Sequence, residues 1–166
     1  MENYVNIKAI QTIGLTLKGY SETETGRGLA WSCKVYFQNK KIGLVSNSGH
    51  GGPTVIDVPV KTLDYIVNAL RSNAYTLTLE SAGHSNEEPT DSRNWFGDAV
   101  TQMIDEVDRL RKLKRLAKTH VIVRQKSSAN EFEFYKIAPS DSSRARLIRQ
   151  LGDDLVCFMN DEILSL

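Results

Sequence analysis

Apolar residues alternate over residues 5 to 17, where Ile7, Ala9, Ile13, Leu15 and Leu17 share one parity, and a period of two predicts a half-buried strand. Gly19 to Gly28, rich in Gly, Ser, Thr and Glu, reads as a surface loop. Trp31, Cys33, Val35 and Phe37 alternate again, Asn39 and Lys40 offer a tight turn, and Ile42 to Val45 resume as a strand. Three antiparallel strands of this kind need a partner layer to bury their apolar side. The partner follows Pro59, where Leu63, Ile66, Val67 and Leu70 recur at the spacing of one helix face. Residues 75 to 80 suggest one more short strand, and Ser81 to Ser92 a polar connector.

The longest periodic run lies between Trp95 and Ala117, with Phe96, Val100, Met103, Ile104, Val107, Leu110 and Leu113 tracing a stripe. Asp91 or Asn94 can cap its start, and acidic residues precede basic ones along it, as the helix dipole favours. The period then returns to two at Val121 and Val123 and at Phe132 and Phe134, which predicts a second hairpin. Asp141 caps a short helix carrying Ala145, Leu147, Ile148 and Leu151, Gly152 ends it in a left-handed conformation, and Leu155 to Met159 form a last strand. The fold class is therefore α+β: an N-terminal antiparallel sheet with helices over residues 1–90, a long amphipathic helix over 91–119, and a small β-β-α-β unit over 120–166.

Composition narrows the function only slightly. A hydrophobic fraction of 40% and a charged fraction of 25% belong to an ordinary globular chain. With 21 basic and 20 acidic residues the net charge is +1, so attraction to nucleic acid or an anionic membrane has to be local. Neither a signal-peptide core nor a run of membrane-spanning length occurs, which points to the cytoplasm. Cys33 and Cys157 read as two small buried hydrophobes rather than a disulfide or a thiolate metal site.

The segment Ser46 to Thr54 concentrates chemistry: Gly49, Gly51 and Gly52, His50, and the hydrogen-bonding side chains of Ser46, Asn47, Ser48 and Thr54. Successive glycine amides can converge on an anion, and His50 can supply a proton donor or base near neutral pH. The simpler reading is a sharp turn out of a strand, and the spacing matches neither the dinucleotide nor the P-loop fingerprint. A structural or partner-binding role outweighs a phosphate site. The other histidines read as a solvated His84 and a helix-closing His120, without metal-binding spacing. Asp153 with Asp154 and Asp161 with Glu162 read as solvated acids, and no serine sits in a nucleophile elbow. No cofactor or metal is implied, and an enzyme built from distant residues stays open behind a non-enzymatic role.

Arg109 to Lys118 carries six cationic side chains, and Arg144, Arg146 and Arg149 add a second group; together they can hold a nucleic-acid backbone, or they are solvated helix faces. Tyr36, Phe132, Phe134 and Tyr135 either stack bases or fill a core.

The stretch Trp31 to Tyr36 and then Lys40 to Gly52, with Leu151-Gly152-Asp153 and Met159-Asn160-Asp161-Glu162, resembles small uncharacterised bacteriophage and prophage proteins in which a hairpin ends in an Asn-x-Gly-x-Gly-Gly loop. The resemblance covers about a third of the chain and brings no catalytic residues with it. It implies a phage or mobile-element accessory factor in the host cytoplasm that engages and occludes a host protein or nucleoprotein complex, as an anti-defence inhibitor would. The contact residues expected from the sequence are Asn47, Gly49, His50, Gly51 and Gly52, with Arg111, Lys114, Arg115 and Lys118 as an auxiliary basic surface. The alternative is a nucleotide- or phosphate-binding protein, or a phosphoesterase, built on the Gly49 to Gly52 loop. The sequence sets neither the oligomeric state nor the partner.

Overall fold

The computed structural model describes residues 4–78, 88–128 and 131–166. It is an α+β protein whose chain divides into two compact units, Tyr4–Asp105 and one that runs from Glu106 to Leu166.

The first unit opens with α1 (Val5–Ile13), not with the strand expected there. The even spacing of Ile7, Ala9 and Ile13 is a coincidence of parity. Ile7, Ala9 and Ile10 are the buried positions, and Gly14 ends the helix in the left-handed region at φ 71°, donating its amide back to Gln11 O at 3.0 Å. β1 (Leu15–Thr25) then runs straight through the predicted loop and pairs with β2 (Gly28–Phe37), from Leu15 opposite Phe37 to Thr25 opposite Gly28. Only Gly26 and Arg27 remain for the turn. A bulge between Lys18 and Ser21, with Gly19 at φ 62°, shifts the register once.

Gln38 and Asn39, both at positive φ (48° and 64°), turn the chain into β3 (Lys40–Asn47), as two-residue hairpins require. β4 (Val55–Asp57) pairs with β3, so the sheet order is β1-β2-β3-β4, antiparallel throughout. At Gly43 a side chain has no room, since a Cβ would stand 1.8 Å from Asp57 O.

α2 (Val60–Ser72) starts directly after Pro59, and its Leu63, Ile66, Val67 and Leu70 are buried as their spacing predicts. α3 (Ser92–Ala117) is capped by Asp91, whose carboxylate accepts the Asn94 amide at 2.9 Å. The Trp95, Phe96, Ala99, Val100 and Met103 side chains of its first turns join α1, α2 and the inner side of the sheet in one core with Leu15, Cys33, Val35, Val45 and Ile56.

Residues 75–78 form no strand; the remainder of that expected strand, 79–80, lies outside the described residues. The segment is held instead by two carboxamides. Asn6 donates to Thr76 O and accepts from Thr76 N, both at 2.9 Å, while Gln102 accepts from Thr78 N at 2.8 Å and donates to Thr76 O at 2.9 Å. Side chains from two helices thus supply the bonds that a neighbouring strand would make.

The second unit contains the last part of α3, then β5 (Val121–Gln125), β6 (Phe132–Tyr135), α4 (Asp141–Leu151), β7 (Leu155–Phe158) and α5 (Asn160–Ser165). Its sheet order is β6-β5-β7, so the expected β-β-α-β order stands, with the short α5 as an addition. Ser140, not Asp141, caps α4, accepting the Ser143 amide at 3.2 Å. Gly152 has a positive φ of 51° with ψ −127°, outside the left-handed helical region expected for it.

No helix among the described residues is long and apolar enough to cross a membrane. Cys33 is fully buried, and burial pushes its thiol up to about 11. Cys157 is only partly buried, contrary to expectation, with its thiol 3.4 Å from the Met159 sulfur.

Candidate functional site: the loop between β3 and β4

The loop leaves β3 at Asn47 and re-enters the sheet at Val55, and it divides into a fixed base and an exposed crest. Asn47 closes the base. Its Oδ1 accepts the Gly49 amide at 2.9 Å, and its Nδ2 donates to Gly52 O and Thr54 Oγ1, both at 3.3 Å, so one carboxamide ties both limbs of the loop. Gly49 is buried, and Thr25 Oγ1 of the β1–β2 turn donates to its carbonyl at 3.0 Å. At φ 70°, Gly49 also lies so close to β2 that a Cβ would stand 2.5 Å from Ala30 N. Only glycine fits this position.

Asn47 and Gly49 are therefore braces, with their polar groups turned into the protein. Gly51, at φ 79°, and Gly52 have open space where a Cβ would be, and both are exposed, as is His50. The crest carries the expected contact chemistry. Among the described residues the amides of His50, Gly51 and Gly52 meet no hydrogen-bond acceptor. His50 Nδ1 lies 2.7 Å from Ser48 O. A carbonyl can only accept, so Nδ1 carries the proton in this contact.

The sheet beneath the crest adds apolar surface. Trp31 pairs with Asn47 across β2 and β3, and its ring centroid lies 6.5 Å from that of Tyr20. Tyr20 and Leu29 are 41% and 42% exposed. Partial burial, the 2.6 Å hydrogen bond from the Tyr20 hydroxyl to Glu22, and the carboxylates of Glu22 and Asp105 push this phenol up to about 12, so it remains a donor across the physiological range. The part of Tyr20 in this surface was hidden in the sequence because Gly19 to Gly28 does not look like strand.

The auxiliary basic residues lie in the other unit. Arg111 and Arg115 are exposed on the last turns of α3, Lys114 there is half-buried, and Lys118, just past the helix end, is exposed. Lys112 on the same stretch pairs with Asp108 at 2.7 Å, which holds that carboxyl below its ordinary range. Arg144 does not belong to a free basic cluster. Both its terminal nitrogens donate to Asp161 at 2.9 Å, and its guanidinium lies 5.5 Å from the Phe158 ring centre. His120 closes α3 as expected, its amide donating to Leu116 O at 2.8 Å. His84 falls outside the described residues. Of the strand aromatics, Tyr135 packs against the second core and Phe134 is 44% exposed. Asp154 is engaged by Ser127, whose amide and hydroxyl donate to it at 2.8 and 2.7 Å.

Comparison with protein-family models, with curated proteins and with solved structures gives no match to this chain.

Proposed function

We propose that this is a binding protein that docks on a macromolecule through the crest His50–Gly52 and the apolar ribbon surface beside it, and that acts by occlusion. The observation that carries the reading is the division of labour within the loop. Asn47, Thr25 and Gly49 brace the base, so the crest is presented with little conformational entropy left to lose on binding. Three amides without an acceptor among the described residues, an exposed imidazole and the exposed Leu29 and Tyr20 give the mixture of polar and apolar groups that protein interfaces use. A host protein or nucleoprotein complex as the target, and a phage accessory or anti-defence role, rest on the resemblance of the hairpin and loop sequence.

The competing small-molecule reading, a nucleotide or phosphate held by the same amides, makes a different prediction in solution. A ligand that binds only the folded chain raises its melting temperature. The test is affinity capture from host lysate, with and without nuclease, using wild type, His50→Ala and Gly52→Asp. Expected is a protein captured by wild type after nuclease treatment and lost with both variants. An unchanged capture profile in the variants, or a melting temperature raised by nucleotides in wild type but not in Gly52→Asp, would overturn the docking reading.

A further inference from the structure

The core of the first unit lies on one side of its sheet, and on the other side the described strand residues of that unit are exposed or half-buried. Strand parity and pairing register assign its residues. Cys33, Val35, Val45 and Ile56 face the core. Thr16, Lys18, Ser21, Ser32, Lys34, Tyr36, Lys41, Leu44, Ser46, Val55 and Asp57 take the opposite parity once the two bulges are counted, and each is exposed or half-buried. The rows across this face are ordered. Thr16, Tyr36 and Lys41 lie side by side, then Lys18, Lys34, Leu44 and Asp57, then Ser21, Ser32, Ser46 and Val55.

Lys18 and Lys34 are directly opposite one another, an arrangement that destabilises a ladder when nothing neutralises it. No ion pair among the described residues involves either of them or Lys41. Asp57, at the far edge, is the sole acid on the face. In a chain whose charges nearly cancel, three lysines against one aspartate is a local concentration of one sign. Beside them the serine row offers hydroxyl donors, with Ser21 and Ser32 oxygens 3.2 Å apart, and Tyr36 and Leu44 offer flat apolar surface. Lys18 Nζ lies 4.6 Å from the Tyr36 ring centre, so cation and ring are already adjacent.

We infer that this open face is a binding platform for single-stranded nucleic acid. Ammonium groups and serine hydroxyls suit a run of phosphates, and the tyrosine ring suits an unstacked base. Splayed bases and an extended backbone can lie across an open sheet face and reach its ammonium groups and ring together. The inference uses residues separate from the loop crest and stands whether or not the crest docks on a protein.

The experiment is fluorescence anisotropy of the full chain with labelled oligo-U and oligo-dT of about 12 nucleotides, within the range one small platform spans, titrated at several salt concentrations. Expected is binding whose logarithm falls against log salt with a slope near −2, about −0.7 for each of three phosphate contacts. Lys34→Gln should weaken it about tenfold, and Lys18→Gln/Lys34→Gln/Lys41→Gln should abolish both binding and slope. Removing a like-charge pair should leave the melting temperature unchanged or higher, which separates lost contact from lost fold. Several results would overturn the inference: a triple variant that binds as wild type does, a loss that appears only on replacing Arg111, Lys114, Arg115 and Lys118, tighter binding of duplex, or a polyglutamate peptide that binds as well as the oligonucleotides.

Discussion

The two units solve the problem of staying folded in different ways. Tyr4–Asp105 buries large apolar side chains from every element around it, including Trp95, Phe96, Leu63, Ile66 and Leu70, on one side of a four-stranded sheet. The unit after Glu106 has a smaller apolar cluster around Val121, Val123 and Leu147, and adds side-chain ties. Asn160, 1% exposed, accepts the Ile122 amide at 2.9 Å and donates to Ala117 O and His120 O at 2.8 and 2.7 Å, so one carboxamide joins the end of α3, the entry to β5 and the start of α5. Arg144–Asp161 and Ser127–Asp154 tie further segments. A core of apolar volume is damaged by deleting volume, whereas a unit held by a few directed bonds is damaged by deleting one acceptor or one charge.

The largest effect that sharpens this contrast is Phe96→Ala, expected to destabilise the first unit by about 3–5 kcal/mol, read from denaturant unfolding followed by residue-resolved NMR. Asn160→Ala should cost about 2–4 kcal/mol, since three backbone groups lose their partner in a buried place. Its loss should appear at Ile122 and its neighbours in the second unit. Equal loosening of both units in the Asn160 variant would break the comparison.

Gly43→Ala and Gly49→Ala come next. Each drives a Cβ into backbone, Asp57 O for Gly43 and Ala30 N for Gly49. Gly43→Ala should detach β4, seen as lost protection at its paired amides, at a cost of about 1–3 kcal/mol. Gly49→Ala should disturb the loop base and crest while leaving the second unit unchanged. Gly51→Ala meets open space but needs φ 79°, so only about 1 kcal/mol of backbone strain is expected.

Acid should separate the units more gently. Hydrogen bonds hold the carboxyl groups of Asp108, Asp154 and Asp161 in the second unit below their ordinary range, with Lys112, Ser127 and Arg144 as the respective partners. Asp91, which caps α3 in the first unit, is lowered in the same direction by the Asn94 amide. A lowered folded value stabilises above the unfolded carboxyl range, near pH 4, and that contribution is lost as pH falls through the folded value. An NMR titration downward from pH 5 should therefore show the second unit loosening first.

Legibility in the sequence followed burial. The hairpin of β2 and β3, whose turn was expected at Asn39 and Lys40 and lies one residue earlier at Gln38 and Asn39, was readable with α2, α3 and the β5-β6-α4-β7 order because each hides one side and so carries a period. The distal halves of β1 and β2 were not, because Ser21 to Thr25 has mostly exposed side chains on both sides and therefore no apolar alternation. α1 was misread through the accident of Ile7, Ala9 and Ile13, although Gly14 gave the helix-end signal. Residues 75 to 80 looked like strand from their run of Tyr, Thr and Leu, yet the partners of Thr76 and Thr78 are the side chains of Asn6 and Gln102, and such side-chain pairing leaves no trace in periodicity.

The candidate site was half legible. Its glycines marked the loop, but that Gly49 is a brace depends on its approach to Ala30, which lay beyond a stretch read as loop.

Amide hydrogen exchange across Asn47–Thr54 in the free protein tests the docking reading most directly. Expected is a protected Gly49 amide, held by Asn47 Oδ1, beside unprotected amides at His50, Gly51 and Gly52. Protection of all four would mean that the protein itself uses the crest donors, and would contradict that reading.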